Sequence, residues 1–370
     1  MVAVDGIPAG GSARPETAAE LAATLREAAA AGKAVIPIGG GRALGMGNPP
    51  ERFDLALETG ALHRLVEYQP ADLTVTVEAG VQLERLNEEL GQSGQLLPLD
   101  PFGGPGHTVG GVLATGWSGP LRLRYGTARD YLIGLRVALP DGSLARSGGR
   151  VVKNVSGYDM NKLHLGALGS LGVIVEASFK VFPRPLSELS LQVVVPTFVE
   201  AWAEAERALA AAMIPVALEL VSEGGAFSVT ARLAGTESGV RRIAAELGWG
   251  PAPADFWTAH AARGAETWAR LSIRPGGLRS LLEALPAGGE WIAQPGTGVA
   301  HWFGFDAASL APLRSAAETA GGSLVILAAP PELKAAVDAW GRAPATAGLM
   351  RQIRDAFDPA RTLSPGRFVI

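Results

Sequence analysis

The sequence predicts an α+β protein built from two unlike domains. Three observations carry that expectation. The chain has 370 residues, more than one typical domain holds. Strand-like segments recur throughout, parted by glycine-dense loops in the first half and alternating with helical stretches in the second. Aromatic usage also changes along the chain: all four tyrosines precede residue 160, whereas seven of the eight tryptophans follow residue 200. The run Pro183-Arg184-Pro185 closes an apolar strand and marks the boundary, so domains are expected over 1–185 and 186–345, with a C-terminal segment over 346–370.

The elements follow in order. A helix is expected over 16–31, with Pro15 at its start, Leu21 and Leu25 one turn apart and Gly32 as its stop. Short strands are expected at 34–38 and 54–58. Thr74, Val75, Thr76, Val77 and Glu78 alternate as a half-buried strand does, and a helix over 83–92 comes next. Residues 99–119 read as an irregular run of Gly, Pro and small side chains. A strand over 132–139 turns at Pro140-Asp141-Gly142-Ser143, and another covers 173–181. The second half reads as strands at 191–195, 216–221, 227–233, 271–274, 290–293, 299–305 and 323–327. Helices are expected over 200–212, 240–247, 278–285 and 308–320, with one more holding both Trp257 and Trp268. That order suits an antiparallel sheet with helices on one face.

Composition excludes several classes. A chain that is 48% hydrophobic and 18% charged is not disordered. A net charge of −4 does not suit a nucleic-acid binder. The absence of cysteine removes disulfides, thiolate-bound metals, iron–sulfur ligation and thiol nucleophiles. The start, residues 1–7, carries Asp5 and has neither a basic flank nor an apolar core, and no apolar stretch is long enough for a membrane span. The expectation is a cytoplasmic protein without direct membrane insertion, membrane-peripheral at most through partners.

Glycine and proline together make up 20% of the chain, and the glycines cluster between apolar segments. After the first strand comes Gly39-Gly40-Gly41. Consecutive amides there can curl around an anion, phosphate above all; a tight turn needing positive φ accounts for the same residues. Neither GxGxxG nor GxxxxGK[ST] occurs, so a nucleotide would be held in some other way. Residues 101–119 let backbone lie flat against a large planar ligand, with one hydroxyl from Thr108; two crossing backbones would need the same small residues. Gly169-Ser170-Leu171-Gly172 precedes a strand and also suits close helix–sheet packing.

Six segments in order, PIGGGRALG, LDPFGGPGHTVGG, RYGTARD, VVKNVSGYDMNKL, GSLGVIVEASFKVFPRP and FDPARTLSPGRF, resemble the PCMH-type flavoproteins, also called the vanillyl-alcohol-oxidase family. Within that family the resemblance is greatest to the E-type FAD-binding subunits of bacterial glycolate oxidases. It covers residues 14–185 and the last dozen, and is weak over 190–345. The resemblance implies a bipartite FAD-binding domain followed by a smaller antiparallel α+β cap domain, with the C-terminal segment returning to the first. It implies that Gly39, Gly40, Gly41, Arg42, Ala43 and Leu44 hold the FAD pyrophosphate. It places Pro101, Thr108, Val109, Gly110 and Gly111 along the flavin and its linker, with Ala114, Thr115, Gly119, Tyr125 and Gly126 continuing that wall. Gly172, Val173 and Ile174 match a backbone stretch near the flavin or adenine end. Residues 39–47 contain no His and the chain no Cys, so the FAD is expected to be non-covalent.

The family's catalytic 2-hydroxy-acid dehydrogenases carry paired metal-binding histidines. Here the histidines are His63, His107, His164, His260 and His301, none at such spacing, and no metal is expected. His260 and His301 read as surface or hydrogen-bonded residues, and Trp302 and Phe305 as core. Arg122, Arg124, Arg129 and Arg136 read as a solvated basic face with Asp130 as partner, and otherwise as a patch for an acidic group. Lys153, Asn154 and Asp159 read as loop-orienting or turn residues. Ser364 stands where the family has Asn, and Arg367 reads as a surface charge or a carboxylate partner. No catalytic base is assigned. The implied function is the FAD-binding subunit of a complex oxidising glycolate or another small 2-hydroxy acid, with a catalytic flavoprotein and an iron–sulfur subunit as partners. A non-catalytic FAD-binding assembly subunit and a self-sufficient alcohol or sugar oxidoreductase are the alternatives.

Overall fold

The computed structural model describes residues 2–150, 158–286 and 288–370. The chain divides into two compact units. One comprises Met1–Ser118, Thr127–Arg184 and Ala343–Ile370; the other comprises Gly119–Gly126 and Pro185–Arg342.

The first unit begins its core with helix α1 (Ala18–Ala30). Thr17, rather than Pro15, sets its start: the Thr17 hydroxyl accepts from the Glu20 N–H at 3.1 Å. Leu21 and Leu25 are fully buried, contributing about 2 kcal/mol each. Strand β1 (Val35–Ile38) pairs in parallel with β2 (Leu55–Glu58), and Ser12–Ala13 adds to the other edge of β2. A second sheet contains β3 (Leu65–Gln69), β4 (Thr74–Glu78), β5 (Leu132–Ala138), β6 (Leu144–Gly148) and β7 (Val173–Lys180). Its order is β6-β5-β7-β4-β3, all antiparallel. Strand β3 is absent from the sequence expectation because neighbouring Leu65 and Val66 are both exposed, so no period-2 pattern marks it.

Helix α1 lies between the two sheets. Leu21 and Leu25 share one core with Val35 and Leu57 from the first sheet and Ala138, Val173 and Val175 from the second. Helices α2 (Leu83–Gln92) and α3 (Val109–Thr115) pack on the second sheet through Leu86, Leu90, Val109, Val112 and Leu113. Helix α3 corrects the reading of 99–119 as wholly irregular. Thr108 caps it, and Gly116 ends it in the left-handed region. Lys153 and Asn154 lie outside the described residues. Asp159 pairs with Lys162 at 2.7 Å.

The second unit is one antiparallel sheet. Its strands are β8 (Ser187–Val195), β9 (Ala217–Glu223), β10 (Ala226–Gly235), β11 (Gly250–Pro251), β12 (Trp268–Ser272), β13 (Glu290–Gln294), β14 (Val299–Phe303) and β15 (Ser323–Ala328). Their order is β11-β8-β10-β9-β13-β14-β12-β15. Helices α4 (Phe198–Leu209), α5 (Glu237–Leu247), α7 (Pro275–Glu283) and α8 (Ala307–Thr319) cover one face, while the short α6 (Phe256–Ala261) lies on the other. The core packs Trp202, Ile243, Leu278 and Leu310 against Leu218, Leu220, Val229, Ala231, Leu271 and Trp302. Trp268 opens strand β12 instead of sharing a helix with Trp257: Gly264 separates the two, and Trp268-Ala269-Arg270-Leu271 alternates with period 2.

The chain returns to the first unit through α9 (Ala347–Phe357). Beyond it the buried Asp358 carboxylate accepts from the N–H groups of Thr362 and Leu363, at 3.0 and 2.6 Å. Leu363 thereby pairs in parallel with Val35, extending the first sheet with the protein's last residues.

Candidate functional site

The loop after β1 is shaped by what it touches. A Cβ on Gly40 would lie 1.9 Å from the carbonyl oxygen of Gly106, so backbone here runs directly against backbone. The Gly40 N–H donates to Thr108 Oγ1 at 3.2 Å, and the same oxygen accepts from Gly111 N–H at 3.3 Å. Thr108 thus ties the loop to the start of α3. Gly41 has φ +71°, a conformation that glycine adopts without strain. Among the described residues no acceptor is found for the N–H groups of Gly41, Arg42 or Ala43. Three consecutive uncommitted amides next to the Arg42 guanidinium form an anion-binding arrangement.

These residues line a hollow of about 600 Å³, together with Ile36, Ile38, Thr115, Leu168, Ser364 and Arg367. A second hollow of about 390 Å³ shares Pro37, Gly39, Gly111 and Ala114 with it and continues past His164, Gly172, Val173 and Ile174. Together they present the mixed polar and apolar lining of a ligand site. No carboxylate lines either one, whereas Arg42 and Arg367 line the first.

Arg367 is a buried residue, not the surface charge considered from sequence. Its guanidinium donates to the carbonyls of Leu44 and Met46, holding the far side of the glycine loop. Burial pushes its pKa down to about 10, with Asp5 acting the other way, so it remains a cation. The Ser364 hydroxyl donates to the Leu168 carbonyl at 3.2 Å, a use of a hydroxyl where an amide is absent. Buried His107 contacts the Phe102 carbonyl at 2.8 Å through Nε2, which therefore carries the proton. Burial lowers its pKa. His164 is also buried, with Phe357 edge-on to its ring. Its Nδ1 has no hydrogen-bond partner, and burial pushes its pKa down to about 4, so the ring is neutral near pH 7.

The structure brings Gly39, Gly40, Gly41, Arg42, Ala43, Leu44, Thr108, Gly110, Gly111, Ala114, Thr115, Gly172, Val173 and Ile174 to this cleft. Val109 instead turns its side chain into the core. Pro101 is buried and lines neither hollow, and Gly119, Tyr125 and Gly126 belong to the second unit. Sequence reasoning missed His107, Thr59, His164 and Leu168 as lining residues, whereas Gly169 belongs to the glycine-spaced segment it had singled out. Nothing in the spacing of those four marks them; only the fold brings them together. Asp130 bonds the Thr127 N–H at 2.7 Å, capping a turn rather than pairing with an arginine.

The chemistry of the lining suits a dinucleotide. Uncommitted amides and two arginines suit a pyrophosphate, glycines and Ala114 leave room for a planar ring, and apolar walls flank both. A site of this kind, joining a parallel sheet, an antiparallel sheet and a returning C-terminus, is that of a nucleotide-cofactor-binding protein.

Comparisons with known proteins agree. A family model described as an FAD binding domain matches residues 10–148. The chain is 32% identical over 320 residues to glycolate oxidase subunit GlcE of Escherichia coli, covering 82% of this chain and 85% of that protein. It is 32% identical over 189 residues to glycolate oxidase subunit GlcD of Bacillus subtilis, covering 51% of this chain and 40% of that one. The mitochondrial cytochrome-type D-lactate dehydrogenase of Arabidopsis thaliana is 36% identical over 151 residues, 41% of this chain and 26% of that one. An alkyldihydroxyacetonephosphate synthase structure superposes with a TM-score of 0.71 at 17% identity, covering 96% of this chain and 77% of that chain, which speaks for the fold alone. The chain belongs to the PCMH-type FAD-binding flavoprotein family, and its cofactor is FAD. Among the described residues no helix is long and apolar enough to cross a membrane.

Proposed function

We propose that this chain is the FAD-binding subunit of a complex that oxidises glycolate or another small 2-hydroxy acid and passes the electrons to partner subunits. The observation that carries the reading is the similarity to a glycolate oxidase subunit across most of both chains. Bound FAD would supply the two-electron acceptor, taking hydride from the substrate α-carbon at flavin N5.

The chain's own residues hold and orient it. The amides of Gly41, Arg42 and Ala43, with Arg42, would bind the pyrophosphate. Thr108 fixes the distance between that loop and α3, and Arg367 holds the loop from behind through Leu44 and Met46. Gly111, Ala114 and Gly172 would give a wall without protruding side chains, with Val173 and Ile174 as its apolar neighbours. His107 and His164, both kept neutral by burial, avoid placing further charge there. The ring nitrogen of His107 nearest a partner is committed to Phe102, which supports a non-covalent cofactor. The chain has no cysteine to hold an iron–sulfur cluster by thiolates, and its similarity to subunits of glycolate oxidases supports partners, an iron–sulfur subunit and a second flavoprotein, as the route for electron exit.

Two measurements test the reading. Co-expression with a catalytic flavoprotein and an iron–sulfur subunit should give one co-purifying complex, and glycolate should bleach its flavin absorption under anaerobic conditions. Absence of a complex, with full bleaching and acceptor turnover by the isolated chain, would favour a self-sufficient enzyme. A complex whose bleaching survives loss of this chain's flavin would favour an assembly role.

A further inference from the structure

The two hollows of the first unit differ in what lines them. Arg42 and Arg367 line the first, whereas among the described residues no charged side chain lines the second. Two polar side chains line that second hollow, Thr59 and His164, each only 5% exposed. The Thr59 hydroxyl donates to the Ile38 carbonyl at 3.3 Å, so its proton is committed. His164 has no such commitment. Its Nδ1 is buried without a partner, and among the described residues neither ring nitrogen makes a hydrogen bond. Polar groups buried in this way are rare, because burial strips their water and returns nothing.

The ring is held in place by packing. His164 ends the helical turn Asn161–His164, and Phe357 at the end of α9 meets its ring edge-on, with 6.0 Å between ring centres. Gly172 keeps side-chain atoms away from it: a Cβ there would lie 3.5 Å from His164 Cε1. Burial holds the pKa at about 4, so near pH 7 the ring is neutral and offers one donor and one acceptor. The hollow is therefore suited to an uncharged group that itself carries both.

FAD has two ring systems, and they make different demands. The redox ring must be reached by substrate; the adenine need only be recognised. The second hollow lies against the inside of the fold. Val173 and Ile174 begin β7, the central strand of its sheet, in register with Ala138 and Val137 of β5. Val173 also packs into the core around α1. Such a position suits the ring that takes no part in the reaction. Adenine is neutral near pH 7 and carries an amino donor beside ring-nitrogen acceptors, the complement of a neutral imidazole.

We propose that His164 reads the adenine of FAD, hydrogen-bonding the edge of the base in the second hollow and so making the chain select FAD over FMN. It is a specificity residue and takes no part in hydride transfer. The inference rests on FAD as the cofactor and is independent of which acid is oxidised.

The test is titration of the flavin-stripped full chain with FAD and with FMN, followed by flavin fluorescence, and with ADP, followed by calorimetry. The wild type should bind FAD more tightly than FMN and should bind ADP. His164→Phe keeps a ring and removes both nitrogens; it should weaken FAD and ADP by about tenfold, the loss of one buried hydrogen bond, and leave FMN unchanged. His164→Gln restores a donor and an acceptor and should recover most of the FAD affinity. A fold merely loosened by substitution would lose FMN and FAD together, and that outcome, like unchanged FAD and ADP binding in His164→Phe, would overturn the assignment. A wild type that binds FMN as tightly as FAD and takes no ADP would overturn it without any variant. Glycolate bleaching, present or absent, bears on the acid and not on His164.

Discussion

The glycine-loop cleft of the first unit and the polar sheet face of the second bring polar groups together by opposite means. In the first, side chains are removed: Gly40 lets backbone touch backbone, and the amides of 41–43 find no acceptor among the described residues. In the second, side chains are brought in by sheet alternation: the buried His301, Glu219 and Gln294 and the half-buried Arg270 come from four different strands. Backbone devices depend on a short run of residues and leave a mark in sequence. Side-chain devices built across a sheet do not.

The largest expected effect comes from breaking the backbone device. Gly40→Ala puts a methyl group against the Gly106 carbonyl, a clash with no flexible atom to yield. Flavin content after purification should fall close to zero. Gly41→Ala meets only Leu44 at 3.9 Å and is strained by φ alone, about 1–2 kcal/mol, so it should keep measurable FAD affinity. Equal flavin loss in both variants would show that the loop's conformation, not its contact with Gly106, is what matters.

Next is Arg367→Met. It leaves the Leu44 and Met46 carbonyls without their donor, costing about 1–3 kcal/mol for each buried orphan. Thermal denaturation should show a lower Tm, and fluorescence titration a weaker FAD complex. An unchanged Kd would remove Arg367 from any account of the loop.

His164 gives a smaller, pH-dependent effect. Its folded pKa of about 4 lies below its ordinary value of 6.5, so the folded state holds the neutral ring. Between those values the unfolded chain binds a proton that the folded chain does not. Stability is therefore lost as pH falls through that window, by on the order of 3 kcal/mol in full. His164→Phe should flatten the difference between urea unfolding at about pH 7 and about pH 4.5. An unchanged pH slope would contradict the burial account.

The smallest effect is expected at the exposed Arg241–Glu237 pair on α5. Arg241→Ala should change stability by less than about 0.5 kcal/mol. A larger change would mean that surface charge contributes more in the second unit than its buried polar face does.

The same contrast explains what could be read from sequence. The α+β class, most strands and the glycine loops were legible because hydrophobic period and Gly clusters are local signals. Helix α3 was not, because Val109–Thr115 is short and glycine-containing, and only the Thr108 cap and Gly116 stop define it. Arg367 looked like a surface charge because its partners, Leu44 and Met46, lie more than three hundred residues away in sequence. Arg270 carried no signal at all. Its environment is set by His301 and Val325 on neighbouring strands, and pairing order is a property of the folded sheet.

The central claim is that the glycine-loop cleft holds FAD without a covalent bond. The most direct measurement is the visible absorption spectrum of the purified full-length chain, repeated on the supernatant after acid precipitation. A flavin spectrum that moves into the supernatant is the predicted result. A colourless protein that takes up no added FAD, or flavin that stays in the pellet, would contradict it.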